Sequence, residues 1–232
     1  MPYYDDTWNT VFTQYDYRMQ DASGNLTNSG TGADPFQPSS GASHTYQQTG
    51  FAGGLYAVQF DGSAYFATAN GSQIQENDSA GTIAAWINTS SGSENIFMTT
   101  KNSSPFETFA TYIDSSNQVQ LRLSNSNGNY YHVQDATDGS YVNPADGNWH
   151  LIVWRQKNDG TGAELWVDNV SQALTQPVSA PTGIDNDSWI SDCLGASHTS
   201  FVVTYLGYDY RSSGELFTGK MGGIGFTDTA IT

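Results

Sequence analysis

One stretch constrains the fold of this chain more than any other, the run DGNWHLIVWRQKNDGTGAELWVDN from Asp146 to Asn169. Two segments rich in strand-forming residues flank a cluster of Asn, Asp and Gly residues, and this pattern predicts a β-hairpin. If the two strands pair symmetrically about Gly160, Trp154 lies opposite Trp166. Both faces of such a hairpin are apolar, so we expect both to be covered. Whether the face with Trp154 and Trp166 is core or a binding surface stays open at this point.

The rest of the chain repeats this pattern of short strands and turns. Val119, Leu121 and Leu123 alternate with polar residues, as in a strand with one buried and one wet face. About ten to twelve such runs alternate with turns, and long amphipathic helical patterns are absent. We therefore predict an all-β, antiparallel two-sheet β-sandwich, a jelly roll, that forms a single domain over residues 1–232. Three segments stand apart from the strand pattern: an N-terminal arm or assembly contact at 1–14, and long loops in the later part of 1–54 and in 170–200.

Charge and composition narrow the range of partners. The formal net charge is −16, with seven Lys and Arg residues among 232. Nucleic acids and anionic membranes are bound through basic surfaces, so the sequence argues against both as partners. The chain has no apolar run long enough to span a membrane, and its first residues lack the basic and apolar regions of a signal peptide. The single cysteine, Cys193, excludes a disulfide within the chain.

Six segments occur in the order found in a known family. They are Phe60–Phe66, Gly81–Ser90, Asn95–Asn102, Phe109–Ser124, Asp146–Asn169 and Glu215–Ile231. In this order they resemble the concanavalin A-like, laminin G-like jelly-roll domains over about residues 11–232. The resemblance implies two curved antiparallel sheets but no single function, because these domains serve as lectins, adhesion modules, glycosidases and virion parts. The family's closing strand often has an acidic pair where this chain has Gly222 and Gly223. We therefore do not expect this chain to share the family properties that depend on those acids, such as a structural cation.

The carboxylates offer little support for catalysis. A glycosidase on this fold needs two carboxylates close together, and these commonly stand two positions apart on one strand. Glu76 and Asp78 have this spacing but lie in a predicted loop, whereas Glu164 and Asp168 on the central hairpin are four positions apart. We therefore predict that the chain is not an enzyme.

Aromatic residues beside polar ones are the better candidates for a binding site. Sugar rings stack on exposed Trp and Tyr side chains, while nearby Asn and Asp side chains hold the hydroxyl groups. The candidate ligand-binding residues are Tyr130, Trp189, Tyr208, Tyr210 and Asp187. Each of them also has a plain structural interpretation, as a packed strand or loop residue. The oxygen-rich run around Trp189 makes calcium the one candidate cofactor, with Asp185 and Asp187 as candidate metal ligands.

Three functional hypotheses follow from these observations. The leading one is a non-catalytic binding or structural module exposed on a virion, such as a capsid decoration or tail fibre protein. Its grounds are the Met start, the composition rich in Asn, Ser, Thr and Gly, and a β fold without disulfides. Such a module contacts neighbouring subunits, including copies of itself, and can bind host or environmental glycans. The alternative is a free carbohydrate-binding lectin module, and a glycoside hydrolase of the same fold is the least favoured. The predicted location is the virion surface, with the extracellular space as the alternative.

Overall fold

The computed structural model describes residues 8, 11–12, 15–31, 35–40, 43–68, 80–101, 108–124, 130–136, 139–175, 189, 202–210 and 215–231. Within them the chain forms sixteen β-strands in two eight-stranded antiparallel sheets, which confirms the predicted sandwich. The strands are β1 (Tyr15–Tyr17), β2 (Gln37–Pro38), β3 (Thr45–Thr49), β4 (Tyr56–Asp61), β5 (Phe66–Thr68), β6 (Gly81–Asn88), β7 (Glu94–Lys101), β8 (Thr108–Ile113), β9 (Val119–Ser124), β10 (Tyr130–Asp135), β11 (Trp149–Gln156), β12 (Ala163–Val167), β13 (Val170–Gln172), β14 (Leu174–Thr175), β15 (Val202–Leu206) and β16 (Thr218–Thr227). In the described part of the chain, no helix has the length and apolar character needed to cross a membrane.

Each sheet places strands side by side that are distant in sequence. Sheet 1 has the order β13-β12-β11-β6-β16-β4-β3, and β1 also pairs with β16. The long strand β16 pairs with β6 along one edge, and with β4 and then β1 along the other. Sheet 2 has the order β14-β10-β9-β8-β7-β15-β5-β2. The pairing of β15 with β5 in sheet 2 creates the site described below.

The core between the sheets is dense in aromatic side chains. Phe97 of sheet 2 packs against Phe226 of sheet 1, with ring centroids 4.5 Å apart. Trp154 of sheet 1 is fully buried, and its indole N–H donates a hydrogen bond of 2.9 Å to the Thr111 hydroxyl of sheet 2. A buried donor without an acceptor destabilises a fold by about 1–3 kcal/mol. This bond therefore fixes the orientation of the tryptophan and links the two sheets.

The central hairpin forms as predicted, but the predicted register is wrong by one residue. Trp154 pairs with Leu165, and Trp166 pairs with Val153. The loop between the strands spans residues 157–162 and contains positive φ angles at Asn158, Gly160 and Gly162. These left-handed residues turn the chain asymmetrically about Gly160, so symmetric pairing does not occur.

The shifted register places the two tryptophans on opposite faces of the hairpin, because side chains alternate along a strand. Trp154 faces the core, while Trp166 lies on the outer face of sheet 1, half-buried. The guanidinium of Arg155 lies 4.5 Å from the centroid of the Trp166 ring, in a cation–π contact. Trp154 is therefore a core residue, and Trp166 lies on the outside of the sandwich.

The Asp-Gly-x-Trp-His motif before the hairpin has a structural role. The His150 ring lies between two carboxylates, with Nδ1 2.7 Å from Asp168 and Nε2 2.9 Å from Asp146. The bond to His150 is the main reason why the pKa of Asp146 falls to about 2. Asp168 also accepts a hydrogen bond of 2.8 Å from the backbone N–H of Leu151. The motif therefore closes the open end of the hairpin.

Two glycines of β16 allow aromatic side chains to lie on the outer face of sheet 1. A Cβ at Gly225 would lie 2.4 Å from the Phe12 ring, and one at Gly222 would lie 2.8 Å from the Phe51 ring. Gly222 stands where the resembling family often has an acid, and here the missing side chain makes room for a ring. Trp8 packs on Phe12 with centroids 4.5 Å apart. The described residues of the predicted N-terminal arm thus contact this chain's own sheet, and an assembly contact there stays a prediction.

Candidate functional site: a tyrosine cluster on sheet 2

The candidate site lies on the outer face of sheet 2, where β15 pairs with β5. Leu206 and its partner Phe66 point into the core. Because side chains alternate between the faces of a strand, the neighbouring Tyr205 and Tyr65 point to the outer face. Their distance in sequence is large, and only the pairing of the two strands brings them together.

Four tyrosines form the site, and we call them the tyrosine cluster: Tyr65, Tyr205, Tyr208 and Tyr210. Tyr65 stacks on Tyr208 with ring centroids 4.5 Å apart and planes 12° apart, and Tyr205 stacks on Tyr210 at 5.9 Å and 9°. The two stacked pairs meet edge to face, with Tyr205 and Tyr208 at 5.4 Å and 76°. Offset stacks and perpendicular contacts are the favourable arrangements of aromatic rings, so the cluster is internally stable.

A short backbone ladder joins residues 207–209, which follow β15, to residues 215–217. Tyr208 forms a β-bridge with Leu216. The N–H of Asp209 donates to the Glu215 carbonyl at 3.1 Å, and the N–H of Phe217 donates to the Gly207 carbonyl at 3.0 Å. Phe217 is itself fully buried, which anchors the ladder in the core. The backbone that carries Tyr208 is therefore fixed.

Exposure increases from the base of the cluster to its tip. Tyr205 is 6% exposed and forms the base, whereas Tyr210 is 36% exposed and offers its ring to solvent. Tyr65 and Tyr208 are half-buried. A ligand would therefore meet the Tyr210 ring first and the hydroxyl groups of the deeper tyrosines next.

Two phenol groups of the cluster, those of Tyr205 and Tyr208, have a raised pKa and stay protonated at neutral pH. Burial, followed by the neighbouring Tyr65, Tyr210 and Tyr208, raises the pKa of Tyr205 to about 12. Burial also raises the pKa of Tyr208, with further contributions from Tyr65, Tyr210 and Asp209. A protonated phenol both donates and accepts hydrogen bonds. Ring faces and neutral hydroxyl groups in one place are suited to a sugar ring, which has apolar faces and a rim of hydroxyls.

A second group of polar residues lies farther along the outer face of sheet 2. The Tyr112 hydroxyl donates to Gln120 at 2.6 Å, and the Gln120 amide donates to Gln134 at 3.2 Å. These groups satisfy each other across neighbouring strands, so they support the sheet. Met98 and Ala110 are on the same face and are both 0% exposed. The amide group and the tyrosine cluster are therefore not parts of one open cleft.

The structure brings two of the predicted ligand-binding residues together, places one in the core and leaves the side chains of the other two outside its described part. Tyr208 and Tyr210 come together in the tyrosine cluster, and their role in binding stays a prediction. Tyr130 begins β10, and its side chain lies outside the described part of the structure, as do Asp185 and Asp187 entirely. The prediction for Trp189 is wrong. This side chain is 1% exposed and packs edge-on against Phe109 at 5.0 Å, so it belongs to the core and offers no ring face to a ligand from solvent.

The described carboxylates show no arrangement for a metal. No group of three or more His, Cys, Asp or Glu side chains within the described ranges could hold an ion. Glu164 accepts hydrogen bonds of 2.7 Å from both Arg155 and Lys157, and these bonds lower its pKa although partial burial opposes the shift. Asp168 is occupied by His150 and a backbone N–H, as described above. Both members of this carboxylate pair therefore have structural partners.

Sequence reasoning missed Tyr65 and Tyr205. The runs Phe201–Tyr205 and Ala64–Thr68 each predict a strand from their residues, but nothing in either run indicates that the two strands are neighbours. A signal was present in the alternation: both tyrosines flank buried phenylalanine or leucine residues and so belong to the outer face. The pairing of β5 with β15 was the missing information.

The sequence matches no family model, and no curated protein matches it. Several solved structures share the fold. The CBM40 domain of Ruminococcus gnavus IT-sialidase, bound to α2,3-sialyllactose, is 14% identical with a TM-score of 0.55, and the match covers 76% of this chain and 91% of that chain. The binding domain of botulinum neurotoxin serotype G is 10% identical with a TM-score of 0.60, covering 94% and 48%. Domain 4 of AbnA, a GH43 extracellular arabinanase from Geobacillus stearothermophilus in complex with arabinotriose, is 11% identical with a TM-score of 0.50, covering 90% and 82%.

At these identities the likeness shows the fold alone. The chain has the β-sandwich architecture of carbohydrate-binding domains, in agreement with its resemblance to concanavalin A-like jelly rolls. Chains of sialidases are also among the matches, so the fold by itself does not decide between binding and catalysis. The virion role gains no support from the neighbours named here, and it stays a prediction.

Proposed function

We propose that this chain is a non-catalytic glycan-binding module and that the tyrosine cluster contacts the sugar. The observation that carries the proposal is the convergence of four tyrosines on the outer face of sheet 2, with the Tyr210 ring exposed. A sugar ring stacks on the Tyr210 face and exchanges hydrogen bonds with the hydroxyl groups around it.

The neighbours in fold support the class of ligand. The structures of the CBM40 domain and of the arabinanase domain contain sialyllactose and arabinotriose, respectively. Their β-sandwiches thus hold both an acidic and a neutral oligosaccharide. The likeness supports a glycan as ligand and leaves the choice of glycan to the residues of this chain.

Binding to a glycan array tests the proposal, with wild type, Tyr210→Ala and Tyr210→Phe compared on the same array. Wild type binds a defined set of glycans. Tyr210→Ala loses about tenfold or more in affinity, which corresponds to about 1.4 kcal/mol, because the substitution removes the aromatic face on which the sugar ring stacks. Tyr210→Phe keeps the ring and retains most of the affinity.

The matched control is Val170→Ala, which changes a side chain of similar exposure, 40%, at the far edge of sheet 1. This variant binds as wild type does. Equal binding by Tyr210→Ala and wild type, or the absence of binding to every glycan of the array, contradicts the proposal. Release of reducing sugar by wild type from any bound polysaccharide contradicts the non-catalytic part.

The location of the module and its protein partners are also proposals. The virion surface is the predicted location, and the extracellular space is the alternative. Neighbouring subunits and copies of the same chain are the predicted protein partners. Light scattering on the purified chain measures the oligomeric state, and a monomer at micromolar concentration contradicts the homo-oligomer.

A further inference from the structure

A second concave surface lies at the other end of β4 from the tyrosine cluster. It is the hairpin loop between β3 and β4, and we call it the 47–56 loop. Gln47 and residues 49–56 line an open cavity of about 340 Å³, within the range of known small-molecule sites, about 300–1,000 Å³. Its lining contains both polar and apolar residues, unlike the apolar grooves that bind another protein.

The groups around this cavity are those that hold sugars. Tyr56 is 42% exposed, more than the other large hydrophobic side chains that the structure describes. Gln47 and Thr49 on the facing strand are also exposed, and they supply an amide and a hydroxyl. An exposed ring with neighbouring polar side chains is the combination that made the tyrosine cluster a candidate.

The loop is rigid, because hydrogen bonds fix its backbone on both sides. The Gly50 N–H donates to the Leu55 carbonyl at 3.1 Å, and the Leu55 N–H donates to the Ala52 carbonyl at 3.2 Å. The Gln20 side chain accepts from the Tyr56 N–H and donates to the Tyr56 carbonyl, both at 3.1 Å. Inside the loop, Phe51 stacks on Trp86 at 4.1 Å. The cavity is thus formed before any ligand arrives, which limits the entropy lost on binding.

One residue of the loop is held in a strained conformation. Gln47 has a φ of 52°, in the left-handed region, at a β-bulge where the register of β3 against β4 shifts. A residue with a side chain adopts this region at a cost of about 1 kcal/mol or more, and such residues cluster at functional sites. The bulge turns Gln47 toward the cavity that it lines.

We propose that the 47–56 loop is a second saccharide-contact site, which makes the module bivalent. The proposal rests on the proposed function in its choice of ligand class. The two sites lie at opposite ends of β4, since Asp61 at its far end is followed by Gly62, whose N–H donates to the carbonyl of Phe217 beneath the tyrosine cluster. Phe51 of the loop packs on the outer face of sheet 1, whereas the tyrosine cluster lies on the outer face of sheet 2. The two sites therefore face different sides of the sandwich, and each can hold a separate glycan chain at the same time.

A glycine in the loop permits a clean test. Gly53 has an ordinary φ, and a Cβ added there meets no atom within 4 Å. Gly53→Leu therefore leaves the fold intact and fills the space that a sugar would occupy. Gly139 has the same two properties outside the loop, so Gly139→Leu is the matched control. Equal melting temperatures of both variants and wild type establish that the fold is unchanged.

The measurement is the stoichiometry of oligosaccharide binding by titration calorimetry, with arabinotriose, α2,3-sialyllactose and the strongest glycan of the array as probes. Wild type and Gly139→Leu bind two molecules of at least one probe per chain. Gly53→Leu and Tyr56→Ala each bind one. On an immobilised polysaccharide, the loss of one site lowers the apparent affinity by at least about tenfold, because the second contact no longer adds to the first.

The outcomes separate this proposal from the proposed function. One binding site in wild type that Tyr210→Ala removes and Gly53→Leu retains overturns the second site and leaves the proposed function standing. One binding site that Gly53→Leu removes and Tyr210→Ala retains places the sugar at the 47–56 loop, and it overturns both the bivalent module and the tyrosine cluster as a site. A chain that binds none of the probes overturns both.

Discussion

The carboxyl group of Glu94 links the two sheets and predicts how the stability of the fold depends on pH. Glu94 begins β7 of sheet 2, is 3% exposed, and accepts a hydrogen bond from the backbone N–H of Thr218 at the start of β16 in sheet 1. Burial raises the pKa of Glu94 to about 7, although hydrogen bonds from Thr218 and Ser91 act in the opposite direction. The folded state therefore binds the Glu94 proton more tightly than the unfolded state does.

The sign and size of the effect follow from the raised pKa. The unfolded pKa is near 4.5, so this contribution to stability is complete below pH 4.5 and is lost as pH rises through about 7. The full shift corresponds to about 3 kcal/mol, and solvent screening at the edge of the sandwich reduces the expected effect to about 2 kcal/mol. Glu94→Gln keeps an acceptor for the Thr218 N–H and cannot ionise. We expect this variant to match wild type near pH 4.5 and to be more stable by about 2 kcal/mol above pH 7.5.

Urea denaturation at a series of pH values measures this difference as a change in midpoint at constant slope. Glu164→Gln is the control, because Glu164 has a lowered pKa. A lowered pKa gives stability that is present at neutral pH and lost as pH falls, so the control variant is less stable than wild type at neutral pH and approaches it in acid. If the difference between Glu94→Gln and wild type does not change from pH 4.5 to 7.5, the burial of an ionisable Glu94 is refuted.

Three further predictions concern the core, the N-terminal segment and calcium. Trp154→Phe leaves the Thr111 hydroxyl without its indole donor and opens a small cavity. We expect the fold to be retained and the free energy of unfolding, measured by urea denaturation, to fall by about 2 kcal/mol. An unchanged midpoint contradicts the packing of this side chain. Gly225→Leu places a side chain where the Phe12 ring lies, so limited proteolysis cleaves the N-terminal segment faster than in wild type or in Gly139→Leu; equal cleavage contradicts the docking of that segment. A calcium site at Asp185 and Asp187 predicts a higher melting temperature with calcium than with EDTA, and no shift removes this site.

Local patterns in the sequence predict the strands of this fold well where one face is buried. The alternation of Val119, Leu121 and Leu123 predicts β9, and all three side chains lie in the core. The expectation of a wet opposite face is wrong, because Gln120 and Ser124 on that face are 5% and 8% exposed. Strands at the edges of the sheets carry no such pattern. Thr45–Thr49 is polar and largely exposed along its length, so only its hydrogen bonds to β4 identify it as a strand. The short edge strands β13 and β14 lie likewise in a segment predicted as mostly loop.

The candidate site depends on which strands are neighbours in a sheet, and local patterns in the sequence do not indicate this. Tyr208 and Tyr210 are recognisable as an aromatic pair in a loop, but Tyr65 joins them only because β5 and β15 are neighbours in sheet 2. Trp189 shows the opposite error. An aromatic residue in an Asp-rich run is expected at the surface, yet tertiary packing places this ring against Phe109 in the core. Polarity of neighbouring residues predicts the exposure of a loop and does not predict the direction of each side chain within it.

A crystal structure of the chain with the strongest glycan of the array shows whether the tyrosine cluster binds sugar. We expect a sugar ring stacked on Tyr210, with its hydroxyl groups in hydrogen-bond contact with the phenols of the cluster. A glycan bound elsewhere on the chain, with the Tyr210 ring left open to solvent, contradicts this expectation.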